Sequence, residues 1–272
     1  MAEDIKPEDR VLNVIPSRDP EKDWTFQHAV ASDILAAPAE IPPSVDLREP
    51  SWWKIGDQLR TGSCVGWGTA DSVLRWHCVK KGILSQNTLL SVRFPWMAAK
   101  EMDTFTTYPS TMLEAEGTSL KAALDIIRKY GCVTALELPF EPCILYPGDP
   151  RVFFAIASKF KIANYFNLRP PRASWDDTKN NWRTWLATTG PILTRLGVDA
   201  TWDNAKNTRG NLDVYKPNTV RGGHCVALVG YTQDRFIVRN SWGIPNWGDQ
   251  GFGYASEGYA QAAFTEAYGI TL

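Results

Sequence analysis

The feature that most limits what this chain can fold into is a change of hydrophobic period at Gly190-Pro191. Upstream of it, apolar residues recur at helical spacing. A helix is predicted from Ser63, its N-cap, with Val65, Ala70, Val73, Leu74 and Val79 on one face and Lys80-Lys81-Gly82 as its end. Further helices are predicted over 91–102 and 118–131, and a short one near 182–186. Downstream, 192–198 reads as a strand, and 225–231 with 235–239 as an antiparallel hairpin over a short polar turn. Helices first and strands second argue for an α+β chain of two lobes with a cleft between them. At 272 residues the chain is one compact unit or two closely packed lobes, with a core that needs no staples.

Residues 1–42 differ from the rest. They are rich in Pro and charge, and hold one short amphipathic stretch in which Phe26, Val30 and Ile34/Leu35 share a face. The following Ala-Pro-Ala-Glu-Ile-Pro-Pro cannot continue a helix. The net charge of −1, with no basic stripe, gives no reason to expect nucleic acid as a partner. No apolar run reaches membrane-spanning length and the first ten residues carry no apolar signal core, so neither a membrane nor a secretory route is expected and a cytoplasmic location is favoured. Five widely spaced Cys with no C-x-x-C pair fit a reduced compartment, with a Cys132–Cys143 bridge left open.

With three His in the chain, elimination narrows the chemistry. His77 lies thirteen residues beyond Cys64 on the same predicted helix, about 20 Å away at helical rise, so it cannot serve that thiol. It is expected to be a helix-surface or satisfied core residue. His28 sits in the N-terminal segment. His224 remains, at a strand start behind Gly222 and Gly223, which let a backbone or ligand approach closely. Cys64 stands at a helix start, where the free N–H groups favour a thiolate, and a depressed thiol pKa is expected there. Asn240 follows the second hairpin strand, which returns it towards His224, where its side-chain oxygen can accept the imidazole N–H. Trp242 is placed to shield that bond. Gln58, six residues before Cys64, can supply an oxyanion-hole N–H beside the Cys64 backbone N–H. Cys78, Cys132, Cys143 and Cys225 fit small buried hydrophobes.

Together these pieces resemble the papain-like, cathepsin-related cysteine peptidases. Pro43-Ser-Val-Asp-Leu-Arg48 looks like the start of a mature enzyme, and Asp57-Gln-Leu-Arg-Thr-Gly-Ser-Cys64 like the oxyanion Gln and nucleophile motif. The run from Gly117-Thr-Ser-Leu to Gly131 looks like the helix after the glycines that pair with substrate, and Gly190-Pro-Ile-Leu like the start of the second lobe. Gly222-Gly-His-Cys-Val-Ala-Leu-Val-Gly-Tyr231, Val238-Arg-Asn-Ser-Trp-Gly243 and Asn246-Trp-Gly-Asp-Gln-Gly-Phe-Gly-Tyr254 follow in the family's order. Thr61 and Val65 stand where the family usually has Cys and Trp, which removes the usual disulfide and is similar to the disulfide-poor prokaryotic branch.

The resemblance implies a papain-like two-lobe fold: a segment at 1–42, then a peptidase domain at 43–272 with a helical lobe over about 55–150 and a β lobe over about 151–272. It implies a thiol protease, expected to be an endopeptidase, acting through Cys64, His224, Asn240 and Gln58. Gly117, Gly223 and Trp242 border the peptide or protein substrate, with no metal or organic cofactor. It also gives residues 1–42 a role, covering the cleft and limiting activity. Two other readings use the same residues: acyl transfer from the thioester, and a catalytically silent peptide-binding protein.

Overall fold

The structure, a computed structural model, describes residues 5–35, 40–103, 108–142, 144–244 and 246–272. The amphipathic stretch of the N-terminal segment yields a short helix, α1 (Phe26–Ala31), capped where the Thr25 side chain meets the His28 backbone and the His28 ring meets the Thr25 backbone. The predicted helix at Cys64 forms one continuous rod: α2 (Cys64–Gly66), a π-helical stretch (Trp67–Leu74) and α3 (Arg75–Lys80). Ser63 does not cap it. Its hydroxyl is taken by Thr61 Oγ1 at 2.7 Å, and its backbone, at φ −84° and ψ 7°, lacks the extended conformation usual at a cap. Then come α4 (Arg93–Met102) and α5 (Leu120–Lys129). Ser119 caps α5 by accepting from the Ala122 N–H, and Gly131 ends the segment at φ +92°, where a Cβ would strike the Ala157 carbonyl.

Beyond α6 (Pro150–Ala157), the short stretch predicted near 182–186 is the apolar centre of a much longer helix, α7 (Trp175–Thr188). Ser174 caps it, and Asp176 and Asp177 face its N-terminal dipole. Two short helices, α8 (Ala200–Asp203) and α9 (Glu257–Ala263), lie within the second half.

The strands are β1 (Val45–Asp46), β2 (Asn164–Asn167), β3 (Ile192–Val198), β4 (Asn211–Leu212), β5 (Gly222–Tyr231), β6 (Arg235–Arg239), β7 (Phe252–Ser256) and β8 (Phe264–Thr271). They form one sheet in the order β2-β8-β3-β5-β6-β7-β4, antiparallel except for β4 with β7, and β1 pairs with the end of β5. Alternation along β5 divides the interior. Cys225, Ala227 and Val229 join the core built around the long helical rod, while Val226 and Leu228 join a second core with Trp182, Trp185, Phe236 and Trp242. The fit to the rod is close: a Cβ on Gly68 would lie 2.5 Å from Cys225 Sγ.

A buried guanidinium ties the lobes together. Arg239, the last residue of β6, donates to Ser72 Oγ at 2.6 Å, Asp71 Oδ2 at 2.7 Å and the Lys54 carbonyl at 2.6 Å, and lies over the Trp53 ring. Asp71 also holds Arg75 at 3.2 Å. The residue that precedes Asn240 is therefore anchored to the helix that begins at Cys64.

Among the described residues, no helix is long and apolar enough to cross a membrane. Cys78, Cys132 and Cys225 are free, buried thiols, as the packing reading expects. Cys132 Sγ donates to the Ser91 and Val133 carbonyls, so the bridge left open for it does not form; Cys143 lies outside the described residues. His77 is buried against Trp76, yet its Nε2 has no partner, so it is neither a surface residue nor a satisfied one.

Candidate active site

Register explains how the base and its orienting residue meet. The hairpin turn closes with Thr232 N–H donating to the Arg235 carbonyl, and β5 pairs with β6 through Ala227 and Arg239. Asn240 thus returns beside His224, and His224 Nε2 lies 2.8 Å from Asn240 Oδ1. That oxygen cannot donate, so Nε2 carries the proton and Nδ1 is left as the basic nitrogen. Nδ1 has no hydrogen-bond partner. Trp242 covers the imidazole at a ring separation of 5.0 Å. Trp202, which lies outside every motif read from the sequence, meets it edge-on at 5.6 Å and stacks on Trp247.

Cys64 sits at the start of the helical rod with the Cys225 backbone N–H, one residue beyond His224, directed at its sulfur. Gln58 is held alongside. Its backbone N–H donates to the Ser241 carbonyl, its Oε1 accepts from Ser241 Oγ at 3.0 Å, and its Nε2 donates to the Thr61 carbonyl at 3.1 Å. The fold therefore brings Gln58, Cys64, His224 and Asn240 to one place, along with Trp242 and Gly223.

The depressed thiol pKa expected of Cys64 is not what the site produces. Burial outweighs the backbone N–H groups and pushes the thiol up to about 12. Burial likewise pushes His224 down to about 4, against the Asn240 hydrogen bond that favours its charged form. The site holds a neutral thiol beside a neutral imidazole, with no hydrogen bond between them.

The chain's own N-terminal segment lies against this group of residues. Arg10 donates to Asp57 through both terminal nitrogens, to the Leu59 carbonyl at 3.2 Å and to the Trp242 carbonyl at 2.9 Å. The next residue, Val11, places its carbonyl 3.4 Å from Gln58 Nε2. Asn13 packs on Gly117, where a Cβ would come within 2.4 Å of its side-chain oxygen, and donates to the Ala115 carbonyl. Val14 N–H donates to the Gly223 carbonyl at 3.1 Å, and Arg195 Nε donates to the Val14 carbonyl at 3.2 Å. Further on, Ser17 N–H donates to Glu266 and its hydroxyl accepts from the Lys121 N–H, while Asp23 pairs with Lys121 and Tyr268. The segment is a strap laid lengthwise through the groove, with Gly117 and Gly223 as its two backbone rails. Nothing in its sequence marks that path, since the contacts that define it are non-local.

Among the described residues, no group of three or more His, Cys, Asp or Glu stands at metal-binding spacing. The sequence model of the papain family of cysteine proteases matches residues 41–270. Among solved structures, xylellain, a cysteine protease from Xylella fastidiosa, superposes with a TM-score of 0.72 at 22% identity, over 97% of this chain and 96% of its own. Digestive procathepsin L 3 of Tenebrio molitor larval midgut gives 0.62 at 18% identity, over 96% of this chain and 77% of its own. The Carica candamarcensis cysteine protease CMS1MS2, in complex with E-64, gives 0.58 at 19% identity, over 85% of this chain and 99% of its own. Against curated protein sequences the chain has no match.

Proposed function

The chain belongs to the papain family of cysteine proteases, and on that premise we propose that it is an endopeptidase working through Cys64, His224 and Asn240, kept latent by its residues 1–42. The observation that carries the reading is the 2.8 Å contact from His224 Nε2 to Asn240 Oδ1, which leaves Nδ1 as the basic nitrogen with no hydrogen-bond partner. Once the strap leaves and water enters, the burial that holds both groups neutral is relieved. His224 Nδ1 takes the thiol proton, and Cys64 Sγ attacks the scissile carbonyl carbon. Gln58 Nε2 and the Cys64 backbone N–H receive the oxyanion, in the place where Gln58 now meets the Val11 carbonyl. His224 gives its proton to the leaving amine, and a thioester remains. Water, deprotonated by His224, then cleaves the thioester and restores the thiol.

The strap enters beside Trp242 and leaves beyond Gly223, so the groove is long enough for a chain to extend on both sides of the scissile bond. That supports endopeptidase action. We assign 43–272 to the peptidase domain, with its lobes at about 55–150 and 151–272. The test is intact mass after exposure to a thiol-directed epoxide, together with hydrolysis of a peptide substrate. A single adduct on Cys64, and loss of both adduct and hydrolysis in Cys64→Ser, are expected. A folded chain that takes no adduct and cleaves nothing, even with the strap weakened, would point to a silent binding protein.

A further inference from the structure

The site that Arg10 fills is built for a guanidinium. The Arg10 side chain has no exposed surface. Its two terminal nitrogens have four acceptors: both oxygens of Asp57, the Leu59 carbonyl and the Trp242 carbonyl. The guanidinium carbon lies 5.9 Å from the centre of the Trp242 ring. The acceptors are fixed without Arg10. Asp57 pairs with Trp242 as a β-bridge and its Oδ1 accepts the Leu59 N–H at 2.8 Å. Gly243, at φ +74°, leaves the space the carboxylate needs, since a Cβ there would stand 2.6 Å from Asp57 Oδ2. The acceptors meet the two terminal nitrogens and leave Nε unpartnered, and a planar pair of nitrogens is recognised by them more sharply than a point charge.

The position of the pocket says which part of a substrate would use it. The leaving amine has to reach His224 Nδ1, and Trp242 is the ring lying over His224. The Val11 carbonyl, nearest to Gln58 Nε2, marks where the reacting carbonyl sits. Gly117 and Gly223 lie on one side of that mark, against Asn13 and Val14, and the Arg10 pocket lies on the other, against Trp242. We propose that Asp57, with the Leu59 and Trp242 carbonyls, forms a specificity pocket for an arginine on the leaving-amine side of the scissile bond. The strap blocks the enzyme by presenting the same group the pocket selects. The inference rests on the peptidase reading for its catalytic consequence, though not for the pocket itself.

The experiment uses the full-length Arg10→Ala chain, in which the pocket is vacated, and the Arg10→Ala/Asp57→Asn chain. Quenched fluorescent peptides differ only in the residue that supplies the leaving amine: Arg, Lys, Ala or Glu. For Arg10→Ala, kcat/KM is expected to fall in the order Arg, Lys, Ala, Glu, with Arg at least ~10-fold above Ala, the size of a charge-assisted hydrogen bond. In the double variant the Arg-to-Ala ratio should drop below ~3-fold while the Ala peptide is still cleaved. Equal cleavage of the Arg and Ala peptides by Arg10→Ala would overturn the proposal. If the double variant does not fold, capture of one acyl-enzyme by argininamide or alaninamide in the Arg10→Ala chain decides: equal capture overturns it. If a folded Arg10→Ala chain cleaves none of the peptides, the peptidase reading fails instead. The pocket is then judged by Tm, which argininamide should raise and alaninamide should not; no difference between the two overturns it.

Discussion

Replacing Arg10 by Ala is the sharpest way to ask whether the strap holds the chain silent. The substitution removes a guanidinium that bonds Asp57, the Leu59 carbonyl and the Trp242 carbonyl. Hydrogen bonds to a charged group contribute about 1.5–3 kcal/mol each but do not add. Breaking a fully buried ion pair costs about 3–5 kcal/mol. Here Asp57 keeps a quarter of its side chain exposed and recovers water when Arg10 is gone, which discounts the upper figure. A loss of about 2–3 kcal/mol from the closed state is a shift of about 30- to 140-fold towards the open one. Where the closed state dominates, peptide hydrolysis and epoxide labelling of Cys64 should both accelerate by that factor. Arg10→Lys should fall between, because an ammonium cannot span the same acceptors. Circular dichroism establishes that each variant is folded. Rates unchanged or lowered in a folded Arg10→Ala chain would refute the latch.

Two more predictions concern the thiol and the packing beneath it. In the closed chain the Cys64 pKa of about 12 leaves a thiolate fraction of roughly 10⁻⁴ at pH 8. Iodoacetamide alkylation should therefore climb about tenfold per pH unit from pH 7 to 10, while Arg10→Ala levels off earlier. The sign follows from the raised pKa: the closed form prefers the protonated thiol, so its stability is intact below the ordinary thiol pKa and falls as pH rises above it. A plateau below pH 8 in the full-length chain would contradict the buried thiol. Separately, Gly68→Ala should cost about 1–3 kcal/mol, because its Cβ would meet Cys225 Sγ and Leu193 Cδ1 inside contact distance. Adding Cys225→Ala should return part of the lost Tm, and strictly additive losses would show that the clash lies elsewhere.

How much of this was legible in the sequence depended on whether the determining contacts were local. The helix behind Cys64 and the hairpin that carries Asn240 to His224 follow from periodicity and turn length, and both formed with the expected partners. The extent of α7 did not, because after Trp175 its first turns, Asp176–Asn181, are polar, and the apolar signal resumes only at Trp182. Ser63 was expected to cap its helix, a role lost to a competing Thr61 hydroxyl two residues away. The largest departure was electrostatic. Helix starts lower thiol pKa values only where the charge is solvated or paired, and Cys64 is wholly buried with no hydrogen bond to His224. The strap's course from Arg10 to Val14 depends on distant glycines and carbonyls that no local pattern announces.

The Arg239 anchor has a consequence for how such a molecule could open. A wedge that spread the lobes would have to pull this guanidinium off Ser72, Asp71 and the Lys54 carbonyl at once, stranding buried charge on both sides. The strap, by contrast, is fastened by contacts in series along its length, and each can let go before the next. Exposure of the groove is therefore a zipper and not a hinge. Release should run contact by contact along the strap while the two walls keep their spacing, and the lobes are predisposed to melt together in one transition because neither can shed the other's half of that charge.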